Sequence, residues 1–191
     1  IVIVQNNTRF RDEIVKFLAA EPDLEVLKEI ITPNQTINAV KALQPDVLIL
    51  DLDMPELNCR KLIKHCKSHN PQIRLIGMSV YAEIHYAADL LKSGAHAYLL
   101  KDQVLEDLAD AIRAHEYYLN SRVARRLFSD LLVRQAPDTR NLHILNDFEK
   151  KEARLFARGL TLNDLKDFFK VPVRILYSDY NKLIRKWINS V

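Results

Sequence analysis

An α/β fold with a doubly wound, five-stranded parallel sheet, followed by a small all-α domain, is what this 191-residue sequence predicts. Three observations carry that reading. Short apolar runs alternate five times with amphipathic helical stretches over residues 1–119. The run Val47-Leu48-Ile49-Leu50 has no polar face and is bracketed by Pro45-Asp46 and Met54-Pro55, as a strand covered on both sides by helices requires. Residues 142–191 read as helices alone.

Taken in order, residues 1–5 form the first strand, and Asn7 or Thr8 caps a helix whose inward stripe is Phe10, Ile14, Phe17 and Leu18. Residues 24–30 form the second strand. Pro33-Asn34 opens a helix using Ile37, Val40 and Leu43, and Gln44-Pro45 ends it. The central strand then delivers Asp51 to the carboxyl end of the sheet, the edge where open α/β sheets bind ligands. A helix over 57–69 turns Leu62, Ile63 and Cys66 inward, and residues 73–78 are the fourth strand. A helix over 81–93, with Ile84, Ala87, Ala88 and Leu91 inward, stops at Gly94. Residues 96–100 are the fifth strand, and 104–119 a fifth helix with Leu105, Leu108, Ala109 and Ile112 on its apolar stripe.

Composition narrows the function. With 48% hydrophobic and 28% charged residues the chain can bury a core and is not disordered. No apolar stretch approaches the roughly 20 residues of a membrane helix, and the start lacks the basic lead and cleavage site of a signal peptide. The absence of an initiating Met predicts a few residues ahead of Ile1. Cys59 and Cys66, seven apart on one helix, suit ordinary thiols in a reducing cytoplasm. Three glycines leave no Gly-rich phosphate cradle. Charge is uneven: residues 1–119 hold 13 Lys and Arg against 17 Asp and Glu, a balance of −4, and residues 120–191 hold 15 against 8, a balance of +7. A basic second part points to a polyanion partner.

The set Asp51-Leu52-Asp53-Met54-Pro55, Ser79, Gly94-Ala95 and Tyr98-Leu99-Leu100-Lys101 resembles the receiver domain of bacterial two-component response regulators, a flavodoxin/CheY-like fold, over residues 1–119. The resemblance implies that Asp51 is a phosphoacceptor, that Ser79 bonds the phosphoryl group and Lys101 pairs with it, and that Tyr98 reports the state by changing rotamer. A phosphoryl group of about −1.5 to −2 charges does need a cation and donors beside it. The chain departs from the family at Gln5-Asn6, where receivers place two adjacent acids that hold Mg²⁺. Two amides there, with Asp53 alone nearby, predict weak Mg²⁺ binding and no other cofactor. They also predict a direct Asp51 to Lys101 pair, hence an atypical receiver that ordinary phosphorylation does not switch.

Ser121 caps a further helix carrying Val123, Leu127, Leu131 and Leu132, with Arg125, Arg126 and Arg134 outside, and residues 135–141 form a linker, so 120–141 is a connector. Residues 142–191 resemble the LuxR-type helix-turn-helix module of the NarL/FixJ subfamily. Residues 145–159 form one helix with Phe148, Ala153, Leu155 and Phe156 inward, and Thr161 caps a second carrying Leu162, Leu165, Phe168 and Phe169. Val171-Pro172 begins a longer third. The outward residues of that third helix, Arg174, Tyr177, Ser178, Asn181, Lys182 and Arg185, are the expected contacts to double-stranded DNA, while Ile175, Leu176, Leu183 and Trp187 face inward. Ile175-Leu176-Tyr177 replaces the family's Thr-Val-Lys, and Asp179 adds a negative charge. The family's fourth, pairing helix has no counterpart before Val191, so either the natural chain is longer or another surface dimerises.

The resulting expectation is a cytoplasmic DNA-binding transcription regulator acting as a homodimer, not an enzyme, with a histidine kinase or another regulatory protein as partner. Two alternatives stand beside it: a conventional phosphorylation-controlled regulator, and a protein-interaction regulator whose helix-turn-helix no longer grips DNA.

Overall fold

A parallel sheet in the order β2-β1-β3-β4-β5-β6 forms the centre of the first part of the chain. The computed structural model describes residues 1–55, 57–133 and 145–190. Arg134 and the linker expected at 135–141 lie outside the described residues. The chain divides into two units, Ile1–Asn120 and Ser121–Val191.

In the first unit the strands are β1 (Val2–Val4), β2 (Lys28–Ile30), β3 (Val47–Asp51), β4 (Arg74–Ser79), β5 (Ala97–Leu100) and β6 (Tyr118–Leu119). The helices are α1 (Thr8–Ala19), α2 (Thr36–Leu43), α3 (Cys59–His69), α4 (Ile84–Lys92) and α5 (Val104–Arg113). Every residue of β1 and β3 is buried, as their unbroken apolar runs require. Ile3, Ile14, Leu18, Ile49, Leu99 and Leu108 meet in the core. Asn7 caps α1 through a 3.1 Å bond from the Phe10 N–H, and Asn58 caps α3. Gly94, at φ +104°, ends the α4 turn in the left-handed region.

The sheet has six strands among the described residues rather than five. The helix expected to run to 119 ends at Arg113: Ala114 turns to extended backbone, and the Arg74 guanidinium takes the Ala111 and Ile112 carbonyls left free at the carboxyl end. The chain then lays Tyr118-Leu119 beside β5, where the Tyr118 N–H donates to His96 at 2.9 Å. The stripe shifts accordingly: Val104, Leu108, Ala111 and Ile112 are buried, and Leu105 is exposed.

The second unit holds α6 (Ser121–Val133), α7 (Asp147–Ala157), α8 (Leu162–Phe169) and α9 (Val173–Ser190). The stretch read as a connector therefore includes a core helix, with Val123, Ala124, Leu127, Phe128 and Leu131 buried. Phe128, Phe156 and Tyr180 pack ring on ring at 4.8 to 5.4 Å. The buried indole of Trp187 donates to Asp130 at 2.8 Å. Capping boxes start α7 (Asn146 with Glu149) and α8 (Thr161 with Asp164). Lys170, at φ +54°, turns the chain from α8 into α9. Phe148, Phe168 and Ile175, expected inside, are exposed, because α8 buries only Leu165 and α9 turns Leu176 and Tyr180 inward instead. Among the described residues no helix is long and apolar enough to cross a membrane.

Candidate functional site

Parallel register brings the carboxyl ends of the central strands level. Asp51 pairs with Met78, and Ser79 with Leu100, so Asp51, Ser79 and the residue after β5, Lys101, meet at one edge. The Lys101 Nζ lies 2.6 Å from Asp51 Oδ1 and 2.9 Å from Asp53 Oδ2, an ammonium shared by two carboxylates. Asp53 collects two more donors: the Ser79 hydroxyl at 2.7 Å and the Val80 N–H at 2.9 Å. Asp51 also accepts the Asp53 N–H at 2.9 Å, which folds the chain back over the strand end. Ser79 Oγ in turn accepts the Tyr81 N–H at 3.1 Å, and the Tyr98 hydroxyl donates to the Tyr81 carbonyl at 2.6 Å.

The electrostatics follow from those bonds. Burial pushes the Asp53 carboxyl up, but Lys101, Ser79 and the Val80 N–H together outweigh it and hold the group below the usual carboxylate range. Burial likewise pulls the Lys101 ammonium down, and its bonds to Asp51 and Asp53 leave it above its ordinary value. The Asp53–Lys101 pair is therefore ionised across the neutral range. It loses its depressed carboxylate only as pH falls below the normal Asp range, and its ammonium only as pH rises beyond the normal Lys range. Burial raises the Tyr98 phenol to about 12, so it stays a donor.

Gln5 and Asn6 do not join the cluster. Gln5 is fully buried, its Oε1 accepting the Asn7 N–H at 2.9 Å and its Nε2 without a partner among the described residues, while Asn6 is exposed. With amides at 5 and 6 and an ammonium in contact with both nearby carboxylates, this donor set does not fit Mg²⁺, which favours anionic oxygens and is repelled by Lys101. Asp53, the lone acid near that place, is engaged in an ion pair with Lys101. Among the described residues no group of three or more His, Cys, Asp or Glu is arranged to hold a metal.

A cavity of about 460 Å³ adjoins the edge, bordered by Leu52, Met54, Cys59, Tyr86, Leu90 and Tyr98 among others. The Arg60–Asp89 pair, 3.6 Å and exposed, sits on its rim.

In the second unit, Arg174, Ser178, Lys182 and Arg185 are exposed on α9 at the spacing of one helical stripe. Two expected groove residues fall elsewhere. Asn181 is fully buried, its amide donating to the Tyr177 carbonyl at 2.9 Å, and Tyr177 is half-buried. Both lie on the flank that α9 turns toward the unit's core, together with Leu176 and Tyr180. Lys182 is held at 2.8 Å by Asp179, the acid that interrupts the stripe.

Sequence reasoning missed what Asp53 binds. The Asp-x-Asp spacing past a strand end was visible, but the Val80 N–H carries no sequence signature. It missed Glu152 altogether, which sits among the buried residues of α7.

Residues 1–113 match the family model of the response regulator receiver domain. Over 190 residues the chain is 27% identical to the DNA-binding transcriptional activator DevR/DosR of Mycobacterium tuberculosis, spanning 97% of this chain and 87% of that protein. It is 28% identical over 163 residues to the nitrate/nitrite response regulator protein NarL of Escherichia coli (strain K12), spanning 84% of this chain and 76% of that one. In a solved structure of two RcsB dimers bound to two parallel DNAs, the RcsB chain aligns with a TM-score of 0.61 over 98% of this chain and 90% of its own, at 21% identity, a likeness of fold.

Proposed function

Because this chain belongs to the response regulator receiver family, we propose that it is a DNA-binding transcription regulator whose receiver works without phosphorylation of Asp51. The observation that carries the reading is the Lys101 ammonium, 2.6 Å from Asp51 and 2.9 Å from Asp53. Phosphoryl transfer to a carboxylate needs its negative charge neutralised by a divalent cation in most such sites, and amides at 5 and 6 withdraw the ligands for one. The cation resident here belongs to the chain itself. A histidine kinase has no phosphoryl role in this reading, and a regulatory protein would act by docking.

The output half rests on the exposed basic stripe of α9 behind the short α8, and on the names of the relatives. Arg174 and Arg185 would reach bases or phosphates, with Ser178 and Lys182 on phosphates. A homodimer on a two-fold site in the cytoplasm fits the same reading, since RcsB is described as dimers on DNA. The ranges of this reading are receiver 1–119, connector 120–141 and DNA-binding module 142–191, with α6 of the connector contributing to the core of the second unit. A second reading, docking to a protein, draws on Phe148 and Phe168, which expose 47% and 55% of their surface.

Intact mass after incubation with acetyl phosphate and Mg²⁺ tests the receiver half. The expected result is an unmodified chain, and a stoichiometric adduct of about +80 Da on Asp51 sinks the idea. Gel shifts at rising salt test the other half. Binding falls steeply with salt, and Arg174→Ala with Arg185→Ala weakens it and reduces the slope by about 2. Salt-independent or absent binding favours the protein-docking reading.

A further inference from the structure

We propose that Asp53 is a built-in oxyanion, a positioning residue whose carboxylate fills the donor set at the sheet edge and thereby fixes Ser79, Val80, Tyr81 and Tyr98. The proposal deepens the phosphorylation-independent reading of the receiver and rests on it. Three donors of different kinds, the Lys101 ammonium, the Ser79 hydroxyl and the Val80 N–H, converge on the two oxygens of this one side chain at 2.7 to 2.9 Å. Such a mixture of charged, hydroxyl and main-chain donors is what an anionic tetrahedral oxygen group needs when withdrawn from water. These donors lie 26 or more residues along the chain from Asp53, so they meet only in the folded unit.

The arrangement extends beyond the carboxylate. Ser79, donating to Asp53, accepts from the Tyr81 N–H, and the Tyr81 carbonyl accepts from the buried Tyr98 hydroxyl. Asp53 thus places residues 79–81, and residue 81 places the phenol. Asp51, Asp53 and Lys101 sum to one negative charge, which repels a second anion. Without the Asp53 carboxylate, Asp51 and Lys101 balance, and the hydroxyl and N–H donors lose their acceptor. A free oxyanion then becomes a fitting occupant.

Hydrogen exchange on the full-length chain, resolved for residues 79–82, tests this with inorganic phosphate as the probe. In Asp53→Ala the Val80 and Tyr81 amides exchange about tenfold faster than in the parent. Phosphate restores slow exchange, and chloride at equal ionic strength does not. The parent chain ignores phosphate. Unchanged exchange in Asp53→Ala, or recovery with chloride as complete as with phosphate, or no recovery with either, overturns the proposal. Asp53→Asn keeps the shape and one acceptor, and covers the case in which the alanine variant does not fold. It should exchange at an intermediate rate and gain the phosphate response, and parent-like exchange without that response counts equally against the idea. None of these measurements involves phosphoryl transfer, so an Asp51 adduct in the mass experiment would remove the proposed function while the exchange result still decides the role of Asp53.

Discussion

The two units handle withdrawn carboxylates in opposite ways. In the first, Asp51 and Asp53 share an ammonium, a hydroxyl and two main-chain N–H groups, and the Asp53 carboxyl sits below its usual range. In the second, Glu152 is fully buried on α7, and neither oxygen has a hydrogen-bond partner among the described residues. Burial first, then the charges of Asp179 and Glu149, push its carboxyl up to about 7, and Lys182 offsets only part of that. Burial disfavours the charged form at both sites, wholly at Glu152 and partly at Asp53, so burial alone does not set the sign. Donors do: a fully bonded anion is held charged, and an unbonded one is driven toward its neutral form.

The largest test of that contrast removes the shared donor. Lys101→Met leaves two carboxylates facing each other without a cation and should cost about 3 kcal/mol of first-unit stability, read by urea unfolding with hydrogen exchange followed in residues 1–120. A loss confined to a few tenths of that would mean the acids find water instead. Next comes Glu152→Leu, which should stabilise the second unit by about 2–3 kcal/mol at pH 8. The folded carboxyl of Glu152 titrates above its unfolded value of about 4.5, so the parent loses stability as pH rises from there through about 7. The gain from leucine should therefore shrink to little at pH 4, with Trp187 fluorescence as the reporter.

A smaller effect separates the units by pH alone. His96 accepts the Leu75 N–H on its Nδ1, and burial, with the charges of Lys67 and Arg74, lowers it to about 4. Its folded value lies below the unfolded one, so its contribution is present above about 6.5 and is lost as pH falls toward 4. Lowering pH from 7 to 5 should thus weaken residues 1–120 while relieving Glu152, and parallel loss of protection in both units would contradict the sign assigned to one of them. The smallest effect belongs to Arg113, whose bonds to Glu21 and Asp23 at 2.6 Å stand in solvent. Arg113→Ala should leave the unfolding midpoint unchanged, which sets the exposed limit of the comparison.

Much of the fold was legible because periodicity encodes it. Unbroken apolar runs at 1–4 and 47–50 became buried strands, Gly94 ended its helix in the left-handed region, and Thr161 capped α8. The end of α5 was not legible: the sequence runs the helix to 119, and the guanidinium that caps its last carbonyls comes from Arg74, 37 residues before Ala111. Asn181 misled for a similar reason. Helical spacing puts it near the outward stripe, and only the packing of α9 turned it into the core.

By itself the sequence determined which residue types reach the sheet edge, Asp51, Asp53, Ser79 and Lys101, and which are missing there, since strand ends and turn residues are local properties. Tertiary structure alone decided that Lys101 serves two acids, that Ser79 and the Val80 N–H close on Asp53, and that Glu152 receives no hydrogen bond from the described residues. Those outcomes depend on sub-ångström placement of groups far apart in the chain, and hydrogen-bond strength falls off too steeply with distance for residue order to specify it.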